Sequence, residues 1–465
     1  MSGAAVVIAA PASGSGKTTV ATGLMGALRA AGHQVAPFKV GPDFIDPGYH
    51  TLASGRPGRN LDPVLVGQDL IGPLYAHGRA GADIAVVEGV MGLFDGRIDA
   101  GAAVGPATGS TAHVAALLRA PVVLVVDARG QAHSIAALLH GFSTFDPGTQ
   151  LAGVILNRVG SPRHEQVLRQ ACETVGLPVL GAIPRSDELA VPSRHLGLIT
   201  AVEHGDSARA AVDAMTALVA RHVDLAAVEA IAARAAGQTW APWRPADVVG
   251  EPVAGSPTVA VAAGRAFSFS YAEQAELLAA AGATVVEFDP LGESLPAEAA
   301  AVVLPGGFPE EYLVELSANE VLRRQIHALA QRGPVYAECA GLTYLMSDLE
   351  GHPMCGVLRG SARFTPRLTL GYRDAVAVTD STLHTAGARA MGHEFHRTTV
   401  DFEGSYPAAW AYRLPDGSTR RDGAVHGGVH ASYLHTHPAT HPGAVRRFVA
   451  HAEDSRSVSP RGGSD

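Results

Sequence analysis

The sequence is poor in cysteine: Cys172, Cys339 and Cys355 are the only three in 465 residues, too few and too scattered for a disulfide framework. A reducing compartment is expected, with a thiol free to be reactive. Positive charge is also scarce. Lys and Arg number 35 against 44 Asp and Glu, a formal net charge of −9, so no global basic field exists to hold a nucleic acid or an anionic membrane. An anionic small substrate would need a local basic pocket. Long apolar runs are missing too: the best, residues 121–126, stops at Asp127, far short of the roughly 18 residues a membrane span requires. Residues 4–12 have the look of a short signal-peptide core, but no basic residue precedes them and Lys17 follows inside a glycine-rich turn. A cytoplasmic enzyme that begins on a buried strand is expected. With 47% hydrophobic and 17% charged residues, bulk disorder, collagen and coiled coil are excluded, and the length argues for two or three domains.

What is present is an alternation of short apolar runs with helix-like stretches. Runs at 6–10, 35–40, 84–88, 122–127, 151–157 and 179–183 are apolar on both faces, as a parallel sheet covered by helices requires. Helices are expected over 18–31 and 134–140. Residues 236–256 carry Gly, Pro, Trp and charge without periodicity and read as a linker between a first domain, 1–235, and a second, 257–450. In the second, strands are expected at 258–262, 284–288, 300–304 and 334–338, with a helix around 271–281. Residues 451–465 read as a disordered tail. The fold class is therefore α/β twice over, with a P-loop parallel-sheet domain first.

The first run leads into Pro11-Ala12-Ser13-Gly14-Ser15-Gly16-Lys17-Thr18-Thr19 and a helix. That is the strand, glycine turn and helix of a P-loop, in which backbone N–H groups surround phosphates, the lysine neutralises their charge and Thr18 meets Mg²⁺. Pro11 stands where the usual pattern has glycine. Acidic groups for the metal belong at the carboxyl ends of neighbouring strands. Two segments supply them: Lys39 to Pro47, with Asp43 and Asp46, and Glu88 to Gly96, with Glu88 and Asp95. Asp43, Asp46 and Asp95 sit beside Pro or Gly and read equally as turn residues. Glu88 ends an apolar run and does not.

These segments, KVGPDFIDP, EGVMGLFDG and PASGSGKTT, resemble the cobyrinic acid or hydrogenobyrinic acid a,c-diamide synthases of cobalamin biosynthesis, whose N-terminal half is similar to dethiobiotin synthetase. The resemblance covers nearly the whole chain. It implies that Thr18, Asp43 and Glu88 hold Mg²⁺, that Lys17 binds phosphate, that Asp46 and Asp95 act near the carboxylate being activated, and that Asn157 lies near the adenine. Gly14, Gly16, Thr19 and Lys39 are counted with the nucleotide-binding groups. Arg56, Arg59, Arg194 and His195 could contact an anionic macrocycle, although a solvated surface charge is the plainer reading of each.

In the second half, Pro334 to Glu338 leads to Cys339 and a helix-like run. A nucleophile on a sharp strand-to-helix turn is exposed, and a helix N-terminus favours the thiolate. Cys172 and Cys355 lack that setting and read as inert packing. His435 supplies a base, and Gly306-Gly307, a glycine turn after a strand, supplies N–H groups for an oxyanion. Together these resemble a class I glutamine amidotransferase domain. That class carries a Glu two positions after the histidine, where this chain has His437, so the third member of the site is left open. A metal cluster built from His426, His430 and His441 is the rival reading.

The resemblance implies an enzyme that uses ATP, Mg²⁺ and L-glutamine to amidate the a and c carboxylates of hydrogenobyrinic or cobyrinic acid. The alternative is an adenosylcobyric acid synthase-type amidotransferase acting on a later corrinoid. A homodimer, the order of the two amidations and the presence of cobalt in the macrocycle are left open by the sequence.

Overall fold

The apolar runs of the first half do what their two-sided hydrophobicity dictates: they form one parallel sheet whose central strands are buried on both faces. The structure, a computed structural model, describes residues 3–98, 105–185, 193–194, 197–198, 201–235 and 239–458. The chain divides into two units, Met1–Trp243 and Arg244–Asp465.

The sheet of the first unit contains β1 (Ala4–Ala9), β2 (Val35–Val40), β3 (Arg59–Leu61), β4 (Ile84–Glu88), β5 (Val122–Asp127), β6 (Leu151–Val159) and β7 (Val179–Pro184), in the order β3-β2-β4-β1-β5-β6-β7. All its ladders are parallel. The order reverses at β1, which lies between β4 and β5, so the loops after β1, β2 and β4 converge at the crevice where open α/β sheets bind ligands. Helix α1 (Lys17–Ala30) leaves the β1 turn, and α2 (Asp46–Ser54) leaves the β2 turn. The strand β3 was not expected, because Arg59-Asn60-Leu61 has no apolar run. It is held instead by Asn60, whose Nδ2 donates to Gly41 O at 2.8 Å and Asp43 O at 2.7 Å. Arg59 is thereby a buried strand residue, not a solvated surface charge.

In the second unit a six-stranded sheet runs Thr284–Phe288, Thr258–Ala262, Ala299–Leu304, Val335–Glu338, Val429–Ser432 and Ala424–His426, parallel except for the last pair. A second sheet, built on the long antiparallel hairpin of Leu358–Ala377 and Arg389–Phe402, takes the short strand His435–Thr436 on one edge. The hairpin was not legible because much of its first strand is only half-buried or exposed and carries no clean alternation.

Two expectations change at the margins. The segment read as a linker holds a short helix, Pro245–Val249, and Trp243 is buried, its backbone N–H donating to Pro73 O at 3.0 Å. The segment read as a tail is helical as far as Val458, in the helix Pro442–Val458. Val445, Phe448, Val449 and Ala452 bury one stripe of it at helical spacing, which outweighs the polar composition of its last turns.

Candidate active sites

After β1 the chain turns through left-handed Gly14 (φ 80°) and Gly16 (φ 94°) into α1. Glycine is needed twice over at position 16, where a Cβ would also lie 2.1 Å from Asn157 Nδ2. The turn is fastened from β6. Asn157 Nδ2 donates to Ser15 O at 2.9 Å, and Arg158 Nη1 donates to Gly14 O at 2.9 Å and to Asp127 Oδ2 at 2.6 Å. Asn157, expected beside the adenine, therefore grips the loop itself. Lys17 and Thr18 open the helix, with Thr19 half-buried next to them. Burial first, and then the charge of Lys39, hold the Lys17 ammonium below its usual pKa.

The residues from β2 and β4 meet at the foot of this loop. Thr18 Oγ1 donates to Glu88 Oε1 at 2.6 Å and lies 3.4 Å from Asp46 Oδ2. The Lys39 ammonium, 3% exposed, donates to Asp46 Oδ2 at 2.5 Å, Glu88 Oε1 at 3.0 Å and Gly89 O at 3.1 Å. Lys39, expected among the nucleotide-binding groups, has all three N–H bonds engaged by this cluster. His50 Nε2 sits 2.7 Å from the other Glu88 oxygen. Burial opposes charge at each group, yet Asp46 and Glu88 raise the Lys39 pKa, while Lys39 and His50 hold Glu88 well below the usual carboxylate range. Asp46 goes the other way: burial, then the charges of Asp43 and Glu88, push it up to about 6.

Asp43 and Asp95 take turn roles. Asp43 Oδ1 accepts from the N–H groups of Ile45 and Asp46 at 2.8 and 2.9 Å, which satisfies the start of α2. Exposed Asp95 accepts from Gly92 N at 3.1 Å. Among the described residues, no group of three or more His, Cys, Asp or Glu side chains is set to hold a metal ion by itself. His195 lies outside the described residues. Arg56 donates to Gly78 O and Ala80 O, closing a turn.

The second site is built around Cys339, which stands between the strand Val335–Glu338 and the helix Ala340–Leu345 with φ 50° and ψ −101°. A side chain at positive φ is strained, as in the elbows that present nucleophiles, but the elbow expected to be exposed is covered here, with Cys339 only 5% exposed. The Cys339 N–H is anchored on Ser432 O at 2.8 Å. Its sulfur lies 3.8 Å from Phe395 O. His435 is fully buried, its strand paired with Gly392–His393. A Cβ on Gly306 would lie 2.4 Å from His435 Cε1, so the glycine turn after the strand Ala299–Leu304 is packed against the imidazole. One on Gly307 would strike Ala266 O at 2.1 Å. Burial lowers the His435 pKa, but hydrogen bonding to Cys339 and Glu338, and their charge, outweigh it and raise it to about 10.

Sequence reasoning missed Glu338. Its Oε2 lies 3.5 Å from His435 Nδ1, while His437, at the position where the wider class has its Glu, turns elsewhere. His437 Nδ1 accepts from Ala439 N at 3.3 Å, and its Nε2 is 4.0 Å from Glu273 Oε2. Of the histidines in the rival metal reading, His430 and His441 pack ring to ring with His384, which faces Trp410, and burial drives His384 to about 3 and His430 to about 4. Cys172 and Cys355 are buried, as Cys339 is, and burial raises the pKa of these two thiols.

Known proteins match this arrangement part by part. Residues 6–199 match a CobQ/CobB/MinD/ParA nucleotide binding domain, and residues 258–442 match a CobB/CobQ-like glutamine amidotransferase domain. The hydrogenobyrinate a,c-diamide synthase of Mycobacterium tuberculosis is 72% identical over 450 residues, covering 96% of this chain and 98% of that one. The chain belongs to the hydrogenobyrinate and cobyrinate a,c-diamide synthase family. Within that family the similarity extends to the hydrogenobyrinate a,c-diamide synthase of Streptomyces coelicolor, at 54% over 98% of this chain and 99% of the relative. It also reaches the cobyrinate a,c-diamide synthase of Gloeobacter violaceus, at 44% over 96% of each. As a member of this a,c-diamide synthase family, the chain joins a nucleotide-binding unit to a glutamine amidotransferase unit.

Proposed function

We propose that this chain amidates the a and c carboxylates of hydrogenobyrinic acid in cobalamin biosynthesis, using ATP and L-glutamine, with cobyrinic acid as the alternative macrocycle. The observation that carries the reading is the coexistence of a phosphate loop fastened to a Thr18–Glu88 pair and a strained Cys339 beside His435, in a chain 72% identical to a relative of that name. The enzyme is read as cytoplasmic. Among the described residues, no helix is long and apolar enough to cross a membrane.

In the second unit the Cys339 thiolate attacks the glutamine carboxamide carbon. His435 passes a proton to the departing nitrogen, ammonia leaves, and water hydrolyses the thioester to glutamate. The N–H groups of the Gly306-Gly307 turn, which packs against the His435 ring, would serve as the donors to the developing oxyanion. In the first unit a substrate carboxylate oxygen takes the γ-phosphoryl group of ATP, giving an acyl phosphate and ADP. Ammonia displaces phosphate and leaves the amide. The loop N–H groups and Lys17 position the phosphates, which is most of what phosphoryl transfer demands.

Mg²⁺ suits this site. Thr18 Oγ1 and Glu88 Oε1 form a hard oxygen pair 2.6 Å apart, and the Asp46 carboxyl beside them is pushed up to about 6 by burial and then by the charges of Asp43 and Glu88, a crowding of negative charge that a cation would relieve. Thr18, Glu88 and Asp46 would hold the ion with the nucleotide's phosphates, and it would supply charge neutralisation on the transferring group. The test offers hydrogenobyrinic and cobyrinic acids side by side with ATP, Mg²⁺ and glutamine. Two new amides on the metal-free acid, counted by mass spectrometry, support the reading. Turnover of neither acid refutes it.

A further inference from the structure

The Cys339–His435 pair needs a group on the far side of the imidazole to fix its tautomer and orientation. The position two residues after the histidine does not provide one. His437 is tied to Ala439 N, packs against the Tyr271 ring and points its Nε2 towards Glu273. The group that does face His435 Nδ1 is the carboxylate of the residue immediately before the nucleophile, Glu338, at 3.5 Å. Its placement is not loose. Glu338 Oε1 accepts from the Tyr336 hydroxyl and, at 3.1 Å, from the Thr436 N–H, which turns Oε2 to the imidazole. Tyr336 and Glu338 can cooperate because alternate residues of a strand share a face. Thr436 follows His435 in its own short strand, so one anchor of the carboxylate and the imidazole it serves are fixed by the same two residues.

We propose that Glu338 is the third member of the glutaminase site, a positioning residue that holds His435 with Nδ1–H donated to the carboxylate while Nε2 exchanges a proton with Cys339. The inference rests on reading this unit as a glutaminase. The charged and titratable groups facing His435 are Glu338 and Cys339, with His393 on the paired strand. His393 is kept neutral, its pKa lowered to about 3 by burial and by His435 and Arg373. Of the two groups that raise the His435 pKa, Cys339 is the reacting thiol itself and Glu338 is the carboxylate beside it.

The experiment uses the full chain and the substitutions Glu338→Gln, Glu338→Asp and Cys339→Ser. Glutamine hydrolysis, ammonia-dependent amidation and the pH profile of Cys339 alkylation by iodoacetamide are measured on each. For Glu338→Gln the expectation is a loss of roughly 100-fold in kcat for glutamine, KM within about threefold, and ammonia-dependent amidation retained. The alkylation profile should move to higher pH, because a less basic His435 stabilises the thiolate less. Glu338→Asp should recover part of the loss. Hydrolysis within about threefold of the parent together with an unmoved alkylation profile overturns the proposal, as does a parallel loss of ammonia-dependent amidation. Should Glu338→Gln fail to fold, Glu338→Asp carries the test: its shorter reach lowers kcat with ammonia use intact, and an unchanged kcat overturns the assignment. Glutamine hydrolysis that survives Cys339→Ser sinks the glutaminase reading instead. The alkylation profile decides the role of Glu338 whatever the substrate.

Discussion

Replacing Lys39 by methionine removes the one ammonium that touches both buried carboxylates of the first site. At an effective dielectric of about 20, its contacts of 2.5 Å to Asp46 and 3.0 Å to Glu88 are each worth about 6 kcal/mol of Coulomb energy. Desolvation of all three groups offsets most of that, and losing one partner of a buried pair typically costs about 3–5 kcal/mol. The loss has a ceiling here. Asp46 already sits at about 6, so protonating it at pH 7 costs only about 1.4 kcal/mol, and without Lys39 it will be neutral there. We therefore expect about 3 kcal/mol of destabilisation at pH 7 and more at pH 9, where keeping the proton costs more. Hydrogen exchange of the β2 and β4 peptides, read by mass spectrometry under native conditions, measures it locally. Glu88→Gln in the Lys39→Met background should cost less than the sum of the single changes, because each single change strands a charge that the double one removes. A loss under about 1 kcal/mol, the same loss at pH 6 and pH 9, or simple additivity would refute the charge accounting.

Cys339→Ala should abolish glutamine-dependent amidation yet keep amidation with added ammonia, whereas Glu88→Gln should lose both; the reverse pattern in a product assay would contradict the division between the units. Gly306→Ala must push the His435 ring, since its Cβ would meet Cε1 at 2.4 Å, so glutamine hydrolysis should fall more than about tenfold at a folding cost of about 1–3 kcal/mol. Ammonia use should survive. The His435 pKa, raised from the usual 6.5 to about 10, means that its share of folding stability is fully present below about pH 6.5 and is lost as pH rises through 10. Urea midpoints of the second unit should therefore fall between pH 7 and 10, and fall less steeply in Glu338→Gln. A midpoint that rises over that range breaks the assignment.

The readable parts of this chain were those in which burial is written as apolar sequence. The runs at 84–88 and 122–127 had to be central parallel strands, because nothing else buries both faces of so short a segment. The glycine turn was readable because backbone at positive φ leaves glycines behind, at 14 and 16. What escaped was burial achieved by polar side chains. β3 is hidden behind Asn60, which spends its amide on two carbonyls of the neighbouring turn, and His50 is a helix residue until its ring reaches Glu88. Glu338 escaped for a related reason. It ends an apolar strand just as Glu88 does, but the pattern of the wider class points to the position two residues after the histidine, which His437 fills. Neither carboxylate has a local reason to sit there: a charge at the end of a buried strand is costly unless a partner waits for it. For Glu88 the partners are Thr18, Lys39 and His50, and for Glu338 they are Tyr336, Thr436 and His435. In each unit the acid at the carboxyl end of a parallel strand marks the proposed site, and in the second it adjoins Cys339.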